Sequence, residues 1–333
     1  MIPGTDLFGT QSDGRTVEVV RLSNDRISAA ILTRGAILQD LRLAGLDRPL
    51  VLGSPDLAAY EGPMAFFGAV IAPVANRLRD ATAPIDGERR SFDTDAPHNL
   101  HSGAAGAHAQ LWEISDRSET AVTLTLDLPD GLSGFPGHRS LTAVYALDGA
   151  ALRFAVTATT DRPTLMNVAH HAYWSLGPDL DWTGQRLEIA ADRVLPVDDA
   201  TVPTGEIRAV DGTGYDFRAG QVLDPETTVP LDHNFCLSDT RVASRPVMRL
   251  TATDGLSMTI ETTEPGLQVF DGRPMDTSPH AGHHGKPYGP RAGMAIEPQM
   301  WPDAPNHEGF TDITLRPGET YRAESVFRFA LPD

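Results

Sequence analysis

The chain has 333 residues, 41% of them hydrophobic, with 30 glycines and 26 prolines. Its 45 acidic against 27 basic side chains leave a formal net charge of −18, which argues against a nucleic-acid backbone or an anionic membrane surface as partner. One cysteine rules out an intramolecular disulfide and fits a reducing compartment, and a chain this long buries a large core without a structural metal.

The N-terminal stretch MIPGTDLFGTQSDGRT has neither the basic start nor the apolar centre of a secretory signal. No segment reaches the apolar length that spans a bilayer, so a cytoplasmic chain is expected. Ser54-Pro55-Asp56-Leu57 predicts a short helix with Ser54 as N-cap and proline at the first helical position. From there onward the pattern is strand-like. Val122, Leu124, Leu126 and Leu128 alternate with polar residues, as do Leu141, Ala143, Tyr145 and Leu147. Asp148-Gly149 then predicts a tight hairpin into Leu152, Phe154, Val156 and Ala158. Cys236, within Phe235-Cys236-Leu237, is expected to be a small buried hydrophobe. Met248, Leu250 and Ala252 continue through Asp254-Gly255 into Leu256, Met258 and Ile260, and Ile313 and Leu315 turn at Pro317-Gly318 into Tyr321, Ala323, Phe327 and Phe329.

No βαβ rhythm, glycine-rich phosphate loop, internal repeat or linker interrupts the pattern. The expectation is an all-β fold with few short helices, one large antiparallel domain over 1–333. Three stretches break alternation and concentrate His, Asn, Trp and Pro: 98–108, 168–176 and 280–306. They are read as loops, where a β scaffold carries its site. His280, His283 and His284 suggest a metal, but their Gly- and Pro-rich surroundings offer no remaining ligand set, and a solvated loop is expected.

Several of these stretches resemble the aldose 1-epimerase (galactose mutarotase) family in order and spacing. Phe67-Gly68-Ala69 and Ala75-Asn76-Arg77-Leu78 are similar to its early Ala-Asn-Arg-Ile segment. Asn99-Leu100-His101-Ser102-Gly103, with Gly106 and Trp112, resembles its Leu-His-Gly-Gly loop, and Thr164 through Leu176 its Asn-Leu-Thr-Asn-His-Ser-Tyr-Phe-Asn-Leu motif. Leu195-Pro196-Val197, Pro203-Thr204-Gly205, Tyr215-Asp216-Phe217-Arg218, Asp232-His233-Asn234-Phe235, Pro265-Gly266-Leu267-Gln268-Val269 and Ile296-Glu297-Pro298-Gln299 follow in the family's order. The series spans roughly positions 8 to 330, and the set is far more specific than any one tripeptide. There are departures. Ala72-Pro73 stands where the family usually has Gly-Arg, Ser102 replaces a glycine, and Ala172 and Ser175 replace more polar residues.

The resemblance implies a large antiparallel β-sandwich, the galactose mutarotase-like supersandwich, with a sugar cleft on one sheet face. It also implies an isomerase that interconverts the α and β anomers of a free aldose such as glucose, galactose, xylose or arabinose. Mutarotation opens a cyclic hemiacetal and recloses it on the other face. It needs an acid and a base, expected on opposite sides of the anomeric centre, and no metal or cofactor. General acid–base groups contribute on the order of 10²–10⁴-fold each.

The catalytic glutamate falls on Glu297, whose apolar setting raises a carboxyl pKa by desolvation. The acid falls on His171, the histidine two residues before Tyr173, leaving His170 for the core. His101 is then a second imidazole near the ring oxygen. Asn76 and Arg77 donate to ring hydroxyls, with the guanidinium favouring an ionised Glu297. Asp232 accepts from two adjacent hydroxyls, Gln268 donates and accepts, and Tyr173 lines the site, whereas Trp174 and Trp301 fit a core role as well. Three other readings stay open: a relative acting on hexose phosphates, which would need added cations, a non-catalytic sugar-binding module, and a metal hydrolase built on the histidine cluster.

Overall fold

The computed structural model describes residues 5–94 and 96–332; the first four residues of the N-terminal stretch lie outside it. Alternation is realised as antiparallel pairing. Ala121–Leu128, Arg139–Asp148 and Ala151–Thr160 are successive neighbours, with Leu124 opposite Ala143 and Ala143 opposite Val156. They lie in a nine-stranded sheet that runs from Glu113–Arg117 through these three to Tyr321–Ala330, Ser257–Thr262, Arg245–Thr251, Arg186–Ile189 and Gln221–Val222. A four-stranded meander holds Thr5–Thr10, Thr16–Ser23, Ile27–Leu32 and Leu38–Leu43. A six-stranded sheet is ordered Tyr173–Trp174, Met294–Gln299, Gly266–Phe270, Asp232–Cys236, Arg193–Leu195 and Arg208–Ala209.

One apolar core joins these sheets. It takes Leu124, Tyr145, Phe154, Ile260 and Phe327 from the nine-stranded sheet, and Leu22 and Ile31 from the meander. The six-stranded sheet adds Trp174, Phe235, Val269 and Ile296. This is the antiparallel all-β domain that the alternation predicts, with the sandwich architecture that the family resemblance implies. Among the described residues the α-helical content is one turn, Leu57–Tyr60, and no helix is long and apolar enough to cross a membrane.

Four local expectations change. Asp148 is the last paired strand residue, opposite Ala151, so the two-residue turn is Gly149-Ala150, with Gly149 alone at positive φ (57°). A turn that needs one left-handed residue, at its first position, places glycine there rather than second. The helix starts later than predicted: Asp56 is the N-cap and accepts from Ala58 N–H, while Ser54 Oγ accepts from Asp56 N–H.

Pro317-Gly318 does turn the chain, but the segments it joins do not pair with each other. Thr314–Leu315 pairs with Thr164–Leu165, while Tyr321–Ala330 enters the nine-stranded sheet. Finally, 280–306 is not one loop, because Met294–Gln299 is a strand buried at all six positions. A strand covered on both faces shows no alternation to read.

Candidate active site

Period-two geometry divides the six-stranded sheet into a core face and a polar face. Ile296 lies opposite Val269, and both face the main core. One residue on, Glu297 lies opposite Gln268, which lies opposite Asn234, so these three project from the other face. Asp232, two residues before Asn234, shares that face, and its Oδ1 accepts a 2.7 Å bond from Gln268 Nε2. Tyr173, opposite Ala295, completes the row.

The histidine pair is sorted by the same alternation. Ala169–His170 pairs with Val70–Ile71, and His171 N–H donates to Ala69 O. His170 turns into the core, against the rings of Tyr145, Phe154 and Phe327, and neither of its ring nitrogens has a hydrogen-bond partner. His171 turns to the polar face. Its Nε2 lies 3.6 Å from Glu297 Oε1. The two are therefore adjacent, whereas the sequence reading set them on opposite sides of the reacting centre.

Asn76 and His101 come from segments joined by the Arg77–Leu100 and Leu78–Asn99 pairs. They are locked reciprocally: His101 N–H donates to Asn76 O at 2.9 Å, and Asn76 N–H donates to His101 Nδ1 at 3.1 Å. Because Nδ1 accepts, the neutral ring carries its proton on Nε2 and is a donor. The His101 ring lies 5.1 Å from that of His171. Asn76 Oδ1 accepts from Arg77 N–H, and the Arg77 guanidinium reaches Asp232 at 3.7 Å. Contacts thus run continuously from Asn76 through Arg77, Asp232 and Gln268 to Glu297, His171 and His101. Tyr173 closes one side, 5.2 Å from the His171 ring, and its own ring is stacked on Phe67.

Phe66 was missed in the sequence. This half-buried ring touches His101 and His108 at centroid separations of 4.7 and 4.8 Å and His171 at 6.0 Å. Its position next to the Phe67-Gly68-Ala69 motif was the available signal, but an irregular turn has no period that reveals which way a ring points. His108, buried with Nδ1 unpartnered, is a third imidazole there. Other residues belong elsewhere. Trp174 packs on Phe327 and Phe329 in the core, and Trp301 is buried with Leu195 and Cys236, its Nε1 donating to Pro265 O. Burial pushes the Cys236 thiol up to about 12, the signature of an inert sulfur. His280 is bonded to Asp56, and His283 to the Gln39 carbonyl.

Burial dominates the electrostatics. It raises the Glu297 carboxyl well above the ordinary range, helped by the Asp232 charge and opposed only in part by Arg77. Arg77 favours the ionised form of Glu297, in the direction expected from the sequence, but desolvation is the larger effect. Burial pushes His171 down to about 4. It holds His101 well below the usual range, reinforced by His171, His108 and Arg77. Asp232 is raised by burial against the pull of Arg77 and Gln268. Burial thus disfavours the charged form of both Glu297 and His171.

The fold and site define an all-β protein whose polar sheet face carries a buried carboxyl–imidazole pair ringed by Asn76, Arg77, His101, Asp232 and Gln268. The aldose 1-epimerase family model matches residues 18–328. The chain is 32% identical over 332 residues to galactose mutarotase of Rattus norvegicus, covering 96% of each. It is 30% identical over 335 residues to aldose 1-epimerase of Escherichia coli (strain K12), covering 95% of this chain and 96% of that one. Among solved structures, an aldose epimerase homologue from C. elegans superposes with a TM-score of 0.88 at 29% identity, covering 95% and 99% of the two chains. This chain belongs to the aldose 1-epimerase family, a family of isomerases.

Proposed function

We propose that this chain is an aldose 1-epimerase that interconverts the α and β anomers of a free aldose. The carrying observation is the Glu297–His171 pair: both groups are buried, 3.6 Å apart, with Glu297 Oε2 and His171 Nδ1 lacking any protein hydrogen bond. A binding module gains nothing from burying an unsatisfied carboxyl, which costs stability. Two oxygens on one anomeric carbon lie close enough for this adjacent pair to reach both. In the productive microstate His171 carries the proton. Glu297 takes the C1 hydroxyl proton as His171 protonates the ring oxygen. The aldehyde then rotates about C1–C2 and recloses with the roles reversed. The pair holds one proton before and after, so the cycle balances without a metal or cofactor.

His101, fixed as a donor, serves the ring-oxygen side. Asn76 and Arg77 donate to ring hydroxyls, Asp232 accepts from two neighbours on the ring, and Gln268 holds Asp232 in place. Tyr173 and Phe66 bound the site. Arg77 is already turned to Asp232, which leaves it poorly placed to take a phosphate. We further propose that the chain works in the cytoplasm as a single domain, in keeping with its one buried cysteine.

The test is anomerisation of freshly dissolved α-glucose, galactose, xylose and arabinose, followed by polarimetry or NMR with the spontaneous rate subtracted. Acceleration of at least one is expected. Rates at the blank for all four would overturn this reading.

A further inference from the structure

His101, Ser102 and Gly103 have φ angles of 51°, 67° and 71°, three consecutive left-handed residues. L-residues avoid this region, and such a run persists only where its surroundings hold it. Ser102 is the anomaly, since it stands where the family pattern has glycine. Its side chain is fully buried. Its hydroxyl accepts from Val74 N–H at 2.7 Å and lies 3.0 Å from Val74 O, to which it donates. Val74 follows Pro73, which has no N–H to give, and Asn167 bonds the residues on either side: Asn167 N–H donates to Pro73 O and Ala75 N–H to Asn167 O. The hydroxyl is therefore what satisfies the buried Val74 N–H.

Val74 lies two residues before Asn76, whose N–H sets the His101 tautomer, and Ser102 directly follows His101. The serine thus staples both sides of the Asn76–His101 lock. From this strained, stapled turn we infer that Ser102 is a positioning residue, which keeps the His101 ring as an Nε2–H donor aimed into the site. The inference rests on the proposed function for the role of His101, and only on the structure for the staple.

Ser102→Ala retains the Cβ and the backbone strain and removes only the hydroxyl. Expected in the folded variant are a fall in kcat of about tenfold, and loss of the pure Nε2–H signature of His101 in ¹⁵N imidazole spectra. In a His101→Gln background the same change should alter kcat less than twofold, since partners acting as one unit are not additive. A lower Tm with unchanged kcat and an unchanged His101 spectrum would overturn the inference, as would fully multiplicative effects in the double variant. If Ser102→Ala does not fold, Ser102→Gly relaxes the backbone, removes the same hydroxyl and is read identically. If His101→Gln has normal kcat, the proposed role of His101 fails. The spectrum then decides the staple alone: a shifted tautomer supports it and an unshifted one removes it.

Discussion

Glu297 Oε1 and His171 Nε2 sit 3.6 Å apart although they arrive by different routes. Glu297 comes from the buried strand Met294–Gln299, and His171 from the turn between Ala169–His170 and Tyr173–Trp174. Both are almost wholly buried, so neither bears its charge at low cost.

Removing the base without changing shape separates chemistry from binding. Glu297→Gln should lower kcat by roughly 10²-fold or more with a much smaller change in KM, because proton abstraction belongs to the transition state. His171→Asn should resemble it, and the double variant should be far less than multiplicatively worse. Asp232→Asn should mainly raise KM, since its bonds to hydroxyls exist in both ground and transition states. Steady-state polarimetry on each folded variant checks this. Near-normal kcat in Glu297→Gln would remove that residue from the reaction.

The pH profile follows from the same pair. Activity needs one proton on it. The second proton binds where His171 titrates, at about 4, because burial lowers it. The single proton is lost only above the ordinary carboxylate range, because burial raises Glu297. kcat/KM should therefore fall on the acid side only near pH 4, with circular dichroism confirming the fold at each pH. An acid limb near 6.5 would mean an exposed, unperturbed imidazole controls the rate.

His170 offers a test of stability. Burial among aromatic rings pushes it down to about 3, and neither ring nitrogen is bonded. The unfolded chain, with an ordinary pKa near 6.5, then binds a proton that the native state does not between those values. Native stability should therefore fall as pH drops below 6.5, by about 1.4 kcal/mol per pH unit from this group. His170→Leu should remove that slope and add about 1–3 kcal/mol at pH 7 by deleting an orphaned polar ring. Urea unfolding at pH 7 and pH 5 measures both, and an unchanged pH slope would contradict the burial argument.

Prolonged dialysis against a chelator should leave the anomerisation rate unchanged, since proton transfer is all the proposed reaction requires. Activity lost to the chelator and restored by zinc or manganese would return attention to His280, His283 and His284.

The chain's own pattern was enough to predict an all-β antiparallel domain, and the family resemblance added the sandwich. Alternation in Ala121–Leu128, Arg139–Asp148 and Ala151–Thr160 records which side chains meet the core, and that is a local, periodic signal. The ordered motifs likewise singled out His101, His171, Asp232 and Glu297 by residue type. The contacts among them were not legible. Met294–Gln299 is covered on both faces, so its strand carried no alternation and its glutamate was assigned to a loop. Pro317-Gly318 marked a turn truly, yet which strands its arms join depends on partners far away in the chain. The donor tautomer of His101, the approach of Phe66 and the adjacency of Glu297 to His171 depend on atoms from distant segments meeting within a few ångströms. Period and composition describe how a residue relates to its neighbours in the chain, and a site is made of residues that are neighbours only in space.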